Sequence, residues 1–432
     1  MTHRTKTTFL LALLLLWSAS PLVDSVARAA DLPTPVMESI PVLGSTAPIP
    51  TSIGLTTALS GILNRPAFGT SGVWVGDPGT GATLFDANAT TPLMPASALK
   101  LLTAATALRT LTPTKRIATR VVVEGATVTL IGGGDAMLAS TGVGPTLETL
   151  ASRVASQIQA VPVTLNYDTS LFRGRTLGPG WSQAFPAAGV AAPVQALMVD
   201  QGRAKVGGKA RVQDPAAHAA QLFAKALRAK GIKIVAVAQA EASPTATEIA
   251  RVESVPVQQL VHHMLTDSDN DLAEALAHLS GVVVKGTGSF ASGAAAMQAT
   301  AVALGLPTAG IALFDGSGLS NKDRVSAQAL GKILMLAAQG SIGGIAPALA
   351  IAGFTGTLAD RFTSVAQKSA AGFVRAKTGT LNGVVNLVGI VPDLDGRVLV
   401  FSVLTNGISS IERTRVSVDQ IATKLRACGC AN

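Results

Sequence analysis

The sequence predicts an α+β protein: an antiparallel sheet flanked by helices, interrupted by a large inserted region of one or two small, mainly β subdomains. Three observations predict it. Extended stretches come in adjacent pairs around turn signals near both ends of the chain. Helical stretches lie between and after them, and no regular strand–helix–strand alternation calls for a parallel sheet. From about residue 119 to 254 the pattern changes to short strands at 119–124, 127–131 and 161–166, with one helix at 216–230.

The elements follow in order. Arg4 and Lys6 precede nine apolar residues, 9–17, and Ala27-Arg28-Ala29 offers a small-residue cleavage pattern, so residues 1–29 read as a signal peptide. Nine residues fall short of a membrane span. Export is therefore expected, into the cell envelope outside the cytoplasmic membrane (the periplasmic space, or secretion). A membrane is touched only if the segment stays uncleaved and runs on through residues 18–23. Residues 30–52, rich in Pro, Ser and Thr, read as an exposed leader. Residues 53–118 and 255–432 form a discontinuous catalytic domain, and 119–254 the inserted region. Within the catalytic parts, 72–76 and 82–85 flank the turn Asp77-Pro-Gly-Thr-Gly81 as a hairpin. A second hairpin joins 384–391 to 397–404 around Asp393-Leu-Asp-Gly396, and 410–427 reads as a closing helix.

Composition fits a large globular chain. With 48% hydrophobic and only 4% aromatic residues, the core is built mainly from Ala, Val, Leu and Ile. A net charge of +9 raises the question of nucleic acid. No zinc-ligand spacing, aromatic-rich sheet motif or dense Lys/Arg run supports that partner. An anionic wall polymer, or a solvated basic surface with no partner, fits the charge. Cys428 and Cys430, one residue apart at the C-terminus, can pair locally but staple no core. His3, His218, His262, His263 and His278 form no metal set, so neither a metal nor a cofactor is expected, and His262 and His263 read as structural. Gly132-Gly133-Gly134-Asp135 lacks the lysine of a phosphate loop and reads as a turn.

The chemistry lies in three short motifs: Ser97-Ala-Leu-Lys100, Ser268-Asp269-Asn270, and Lys377-Thr378-Gly379 followed by Thr380. Each alone is weak. Their order and context spell a serine acyl-transfer site in which a lysine activates the nucleophile. Ser97 follows Met94-Pro95-Ala96 and opens an apolar run that reads as a buried helix. A three-residue step puts Ser97 and Lys100 on one face. The helix N-terminus suits an oxygen that becomes negative, and burial lets the lysine lose its proton. Ser268-Asp269-Asn270 falls between helical stretches 257–265 and 271–279, where Ser268 can relay a proton, Asn270 can donate to a substrate amide, and the acids can cap the next helix. Lys377 to Thr380 ends an extended run. There Gly379 lets a substrate approach the backbone, and the lysine and threonine hydroxyls make a carboxylate site.

This constellation resembles the penicillin-binding protein and serine β-lactamase superfamily. Within it the chain is most similar to the D-alanyl-D-alanine carboxypeptidase/endopeptidase family, the class C low-molecular-mass penicillin-binding proteins. The 171 residues from Ser97 to Ser268 exceed what a compact β-lactamase core needs. Gly132 to Asp135, Tyr167 to Phe172, Gly178-Pro-Gly-Trp181, Asp315-Gly-Ser-Gly-Leu-Ser320 and Gly356-Thr-Leu358 also look like that family. The resemblance implies a penicillin-binding-protein/β-lactamase-like core with a helical cluster beside its sheet. It implies Ser97 as acylated nucleophile, Lys100 as general base, Ser268 and Asn270 as proton relay and amide contact, and Lys377, Thr378 and Thr380 as the carboxylate-binding edge. The backbone N–H groups of Ser97 and Thr380 would form the oxyanion hole. The implied substrate is a peptidoglycan stem peptide ending in D-Ala-D-Ala, with β-lactam antibiotics as inhibitors. Asn321 departs from the arginine usual after Gly-Leu-Ser320.

Three alternatives compete. A D,D-endopeptidase would cleave cross-links at the same site. A class A β-lactamase needs a deacylating glutamate, and none of Glu124, Glu148, Glu241, Glu248 and Glu253 has the usual context. A catalytically silent peptidoglycan-binding module would keep the fold, but all three motifs are intact. The insert is expected to shape substrate access and to add no catalytic side chain, so that Asp135, Asp168 and Asp200 influence peptide preference.

Overall fold

Two long strands, Val384–Pro392 and Val398–Asn406, are apolar almost throughout and buried on both faces. A strand buried on both faces needs a helical layer on each side, and the chain supplies both. The computed structural model describes residues 47–158 and 161–429. The signal segment, residues 30–46 of the leader and Cys430 lie outside the described residues, and with Cys430 the question of its pairing with Cys428.

These strands form the centre of a six-stranded antiparallel sheet. Its order is Ala350–Ile351, Arg375–Leu381, Val384–Pro392, Val398–Asn406, Thr70–Gly76 and Thr83–Ala87. Period-two alternation sends side chains into two separate cores. Val73, Val75, Leu387, Phe401 and Val403 pack against the helices Ser52–Leu63 and Ile411–Arg426, through Leu55, Leu59, Val418 and Ile421. Trp74, Val388, Val400 and Leu404 face the other way, onto Leu330, Ile333 and Leu334 of the helix Ala327–Ala338.

That second core continues into the helical cluster. The helix Lys100–Thr110 is buried on nearly every side, as an all-round apolar helix must be. It is surrounded by Val257–Asp267, Asn270–Lys285 and Phe290–Ala303. The first of these buries Val257, Leu260, Val261, Met264 and Leu265, the helical spacing of a single apolar face.

A second sheet of five strands is built wholly from residues 118–253, in the order Ile234–Gln239, Val163–Asp168, Thr127–Ile131, Ala118–Glu124 and Thr247–Glu253. It holds more helix than its strand-rich sequence suggests. Two of its four pairings are parallel, and a parallel pair needs a crossover. The helices Leu147–Ala155 and Pro215–Ala229 provide those crossovers and bury Leu147, Leu150, Val154, Phe223 and Leu227 with Val121, Leu130 and Leu165. Asp135 and Asp168 are buried and bind backbone N–H groups of Met137, Ser170 and Ala242, so they hold loops in place.

The segment after this sheet's third strand is fastened to the helical cluster. Arg211 makes a forked contact with Asp271, at 2.8 and 3.2 Å, and the N–H of Ala192 donates to the same carboxylate at 2.6 Å. Trp181 Nε1 donates to Asp315 at 2.7 Å, and Ser320 Oγ to the carbonyl of Pro179 at 2.6 Å. Both partners of the Arg211–Asp271 pair are almost wholly buried. Breaking such a pair leaves an uncompensated buried charge. Arg211→Ala should therefore lower the unfolding free energy by about 3–5 kcal/mol, and Asp271→Asn added to it should recover part of the loss. Chemical denaturation of the single and double variants checks this.

Candidate active site

The three motifs meet at the junction of the sheet and the helical cluster. Ala96–Leu99 forms a 3-10 turn that runs into the helix Lys100–Thr110, so Ser97 stands one step before the α-helix proper. Ala96 has a φ of 45°, an unfavourable value for a residue with a Cβ, and such strain concentrates at functional turns. Ser97 is half-buried, and Lys100, one turn on, is completely enclosed.

Lys100 Nζ has three neighbours: Ser97 Oγ at 2.9 Å, Asn270 Oδ1 at 2.7 Å and the carbonyl of Ser317 at 2.8 Å. The last two are acceptors only. The amide orientation of Asn270 is fixed independently, because its Nδ2 donates to the carbonyl of Val190 at 2.9 Å. A neutral Lys100 must therefore spend its two N–H bonds on Asn270 and Ser317, which leaves its lone pair directed at Ser97. Burial pushes the Lys100 pKa down to about 8, against the upward pull of Asp315, Glu274, Asp269 and Asp271.

Glu274 stands one turn after Asn270 on the same helix and is fully buried. Its carboxyl accepts from the N–H groups of Gly316 and Ser317, at 3.1 and 2.7 Å, and so fixes the peptide whose carbonyl holds Lys100. Burial, then Asp315, raises its pKa to about 8. Asp315 accepts from Gly318 N, Ser320 N and Trp181 Nε1.

Ser268 connects two helices in the left-handed region, with φ at 61°. Asp269 caps the second helix, accepting from Leu272 N at 2.9 Å, and binds Gln201 as well. His263 lies 2.9 Å from Asp267 and 3.5 Å from Asp269, whose hydrogen bond raises its pKa. His278 is buried between Phe172 and Phe290, and burial lowers its pKa to about 4. It is a neutral packing residue.

Lys377 is also completely buried. Its Nζ donates to Ser268 Oγ at 2.9 Å and to the carbonyl of Thr378 at 3.0 Å. Burial, then the nearby Lys100 and Arg361, pushes its pKa well below the usual lysine value. It faces Ser268 and does not line the cleft. The strand Arg375–Leu381 has a partner on its outer side only at Arg375 and Ala376, so its edge from Lys377 onward is open beside Ser97. Gly379 also has a packing reason. A Cβ there would lie 2.6 Å from the carbonyl oxygen of Pro95 and 3.1 Å from Ala98 N, so the glycine lets the strand reach the Ser97 turn. Asn386 Nδ2 ties the next strand to the same turn through Pro95 O at 2.8 Å.

The cleft has a volume of about 470 Å³, and Ser97, Ser268, Thr378 and Thr380 line it. Thr378 Oγ1 donates to Thr357 Oγ1 at 2.9 Å. The lining is completed by Gly356, Thr357, Asp360, Arg361 and Arg415, which lie outside the three motifs. Gly356-Thr-Leu358 was a legible signal for part of that lining; Arg415, in an ordinary amphipathic helix, had none.

The sheet, the helical cluster and the converging serines and lysines are those of a hydrolase of the penicillin-binding-protein and β-lactamase type. The chain belongs to the D-Ala-D-Ala carboxypeptidase 3 (S13) family, whose model matches residues 55–210 and 204–427. It is thus a serine-type D-Ala-D-Ala carboxypeptidase. A carboxypeptidase of Mycobacterium tuberculosis is 35% identical over 92% of this chain and 89% of its own length. The carboxypeptidase DacB of Mycolicibacterium smegmatis is 36% identical over 89% and 86%. Penicillin-binding protein 4 of Haemophilus influenzae shares the fold, with a TM-score of 0.74, 21% identity and coverage of 87% of this chain and 98% of that one. The same Haemophilus protein has been solved with a β-lactam bound, with a TM-score of 0.65 and 22% identity over 86% of this chain and 97% of that one.

Gly379→Ala should force the strand and the Ser97 turn apart, at a cost of about 1–3 kcal/mol. It should also slow acylation of Ser97 more than its effect on stability explains. Thermal melting and β-lactam acylation measured on one preparation check both.

Proposed function

We propose that the chain is an exported enzyme that removes the terminal D-alanine from peptidoglycan stem peptides through an acyl-Ser97 ester, and that penicillin acylates the same serine. The observation that carries the reading is the set of contacts around Lys100, in which two obligate acceptors direct its lone pair at Ser97 Oγ. Ser97 Oγ attacks the carbonyl of the penultimate D-alanine as its proton passes to Lys100 Nζ. The backbone N–H groups of Ser97 and Thr380 receive the oxyanion. Lys377 donates to Ser268, whose hydroxyl gives its proton to the departing amine while taking one from Lys100, which is thereby neutral again. D-Alanine leaves, and water hydrolyses the ester. Asn270 keeps Lys100 in register, and Thr378 and Thr380 contact the substrate beside the open strand edge.

Action outside the cytoplasmic membrane follows from this substrate and from the signal-like residues 1–29. Among the described residues no helix is long and apolar enough to cross a membrane. Residues 119–254 contribute no catalytic side chain, a reading supported by a cleft lining drawn entirely from outside that range.

Mass spectrometry of intact protein after penicillin exposure tests the nucleophile. Ser97→Ala should lose the adduct, and an undiminished adduct on that variant overturns the assignment. Lys100→Ala should acylate about 10²–10⁴-fold more slowly.

The pH dependence has a definite sign. Only neutral Lys100 accepts the proton, and its pKa is lowered to about 8, so acylation should accelerate as pH rises towards that value and level off above it. Stopped-flow acylation at a series of pH values reads this directly; a flat or falling profile contradicts Lys100 as the base.

A further inference from the structure

The cation that sequence alone assigns to substrate recognition is not among the residues lining the cleft. Lys377 is completely buried, is held by Ser268 and Thr378, and has its charge disfavoured by burial and by Lys100. The cleft floor beside the nucleophile is left with the hydroxyls of Thr378 and Thr380. A formal positive charge with exposed donors would hold a free carboxylate there more strongly than hydroxyls alone.

Two guanidinium groups line the cleft. Arg361 is committed: it grips Asp419 with two nitrogens, and both partners are almost wholly buried. Arg415, in the first turns of the helix Ile411–Arg426, differs. Its side chain is 37% exposed, and its ion pair with Glu412, 77% exposed, spans 3.3 Å. Such a surface pair contributes little and is readily exchanged. Asp360, the acid of this cleft, is exposed and makes no ion pair among the described residues, so solvent screens it.

We propose that Arg415 is the specificity-determining cation of this enzyme, pairing with the free α-carboxylate of the substrate's terminal residue beside Thr378 and Thr380. The proposal rests on the carboxypeptidase reading and deepens it. A guanidinium fork matches a carboxylate with two parallel hydrogen bonds, which an ammonium cannot do. Lys377 then serves the relay through Ser268, and substrate charge is read by Arg415 from the C-terminal helix.

The test pairs a blocked peptide ending in D-Ala-D-Ala with the same peptide amidated at its C-terminus. Arg415→Gln should lower kcat/KM on the free acid by about tenfold to a hundredfold, chiefly through KM, and leave the amide unchanged. Arg415→Lys should fall between. An equal loss on both peptides, or no loss on the acid, overturns the proposal. Thermal melting monitors folding, and should Arg415→Gln melt early, Arg415→Lys alone decides by the same acid-to-amide ratio. If the wild-type protein cleaves neither peptide, the carboxypeptidase reading fails separately. Arg415 is then judged on acylation by penicillin against its carboxylate methyl ester, where the same selective loss supports it and an equal rate with Arg415→Gln and wild type overturns it.

Discussion

Two completely buried lysines are the constraint around which this molecule is organised. An ammonium removed from water must find acceptors or lose its proton, and Lys100 is arranged for both. Its three neighbours come from three distant parts of the chain, at Ser97, Asn270 and Ser317. The helix Asn270–Lys285 supplies two holds one turn apart: Asn270 directly, and Glu274 through the backbone of Gly316 and Ser317.

The charges behind Lys100 set its balance. Desolvation favours the neutral amine, whereas Asp315, Glu274, Asp269 and Asp271 favour the ammonium. These acids are themselves restrained: Asp271 by Arg211, Asp315 by Trp181, and Asp269 by its helix-capping bond and Gln201. Three of those partners, Trp181, Gln201 and Arg211, lie in the segment between residues 119 and 254. The segment thus contacts the acids around Lys100 while contributing nothing to the cleft lining.

The cleft is assembled from distant parts of the chain. The serines and the threonines of the open strand edge line it together with Thr357, Asp360, Arg361 and Arg415. The strand and the Ser97 turn approach closely at Gly379 and are tied together by Asn386. Arg415 comes from the C-terminal helix, whose buried side packs under the sheet through Val418 and Ile421. The cleft lining thus rests on elements far apart in sequence and adjacent in the fold.

The sequence by itself determined the family, the order of the three motifs and most of the elements. Hydrophobic periodicity and turn chemistry are local signals, and the hairpins around Asp77 and Asp393, the helix after Asp214 and the helices on either side of Ser268 all follow from them. It did not reveal that the insert's strands pair partly in parallel, because pairing direction is decided by where a crossover helix returns the chain. Nor did it reveal the packing reason for Gly379, whose missing Cβ is needed by the carbonyl of Pro95, far away along the chain. Lys377 and Arg415 make the same point. A lysine in a motif and an arginine in an unremarkable helix carry equal charge on paper. Only tertiary packing decided which is buried against a serine and which faces the cleft, because desolvation depends on every neighbour at once and not on residue type or spacing.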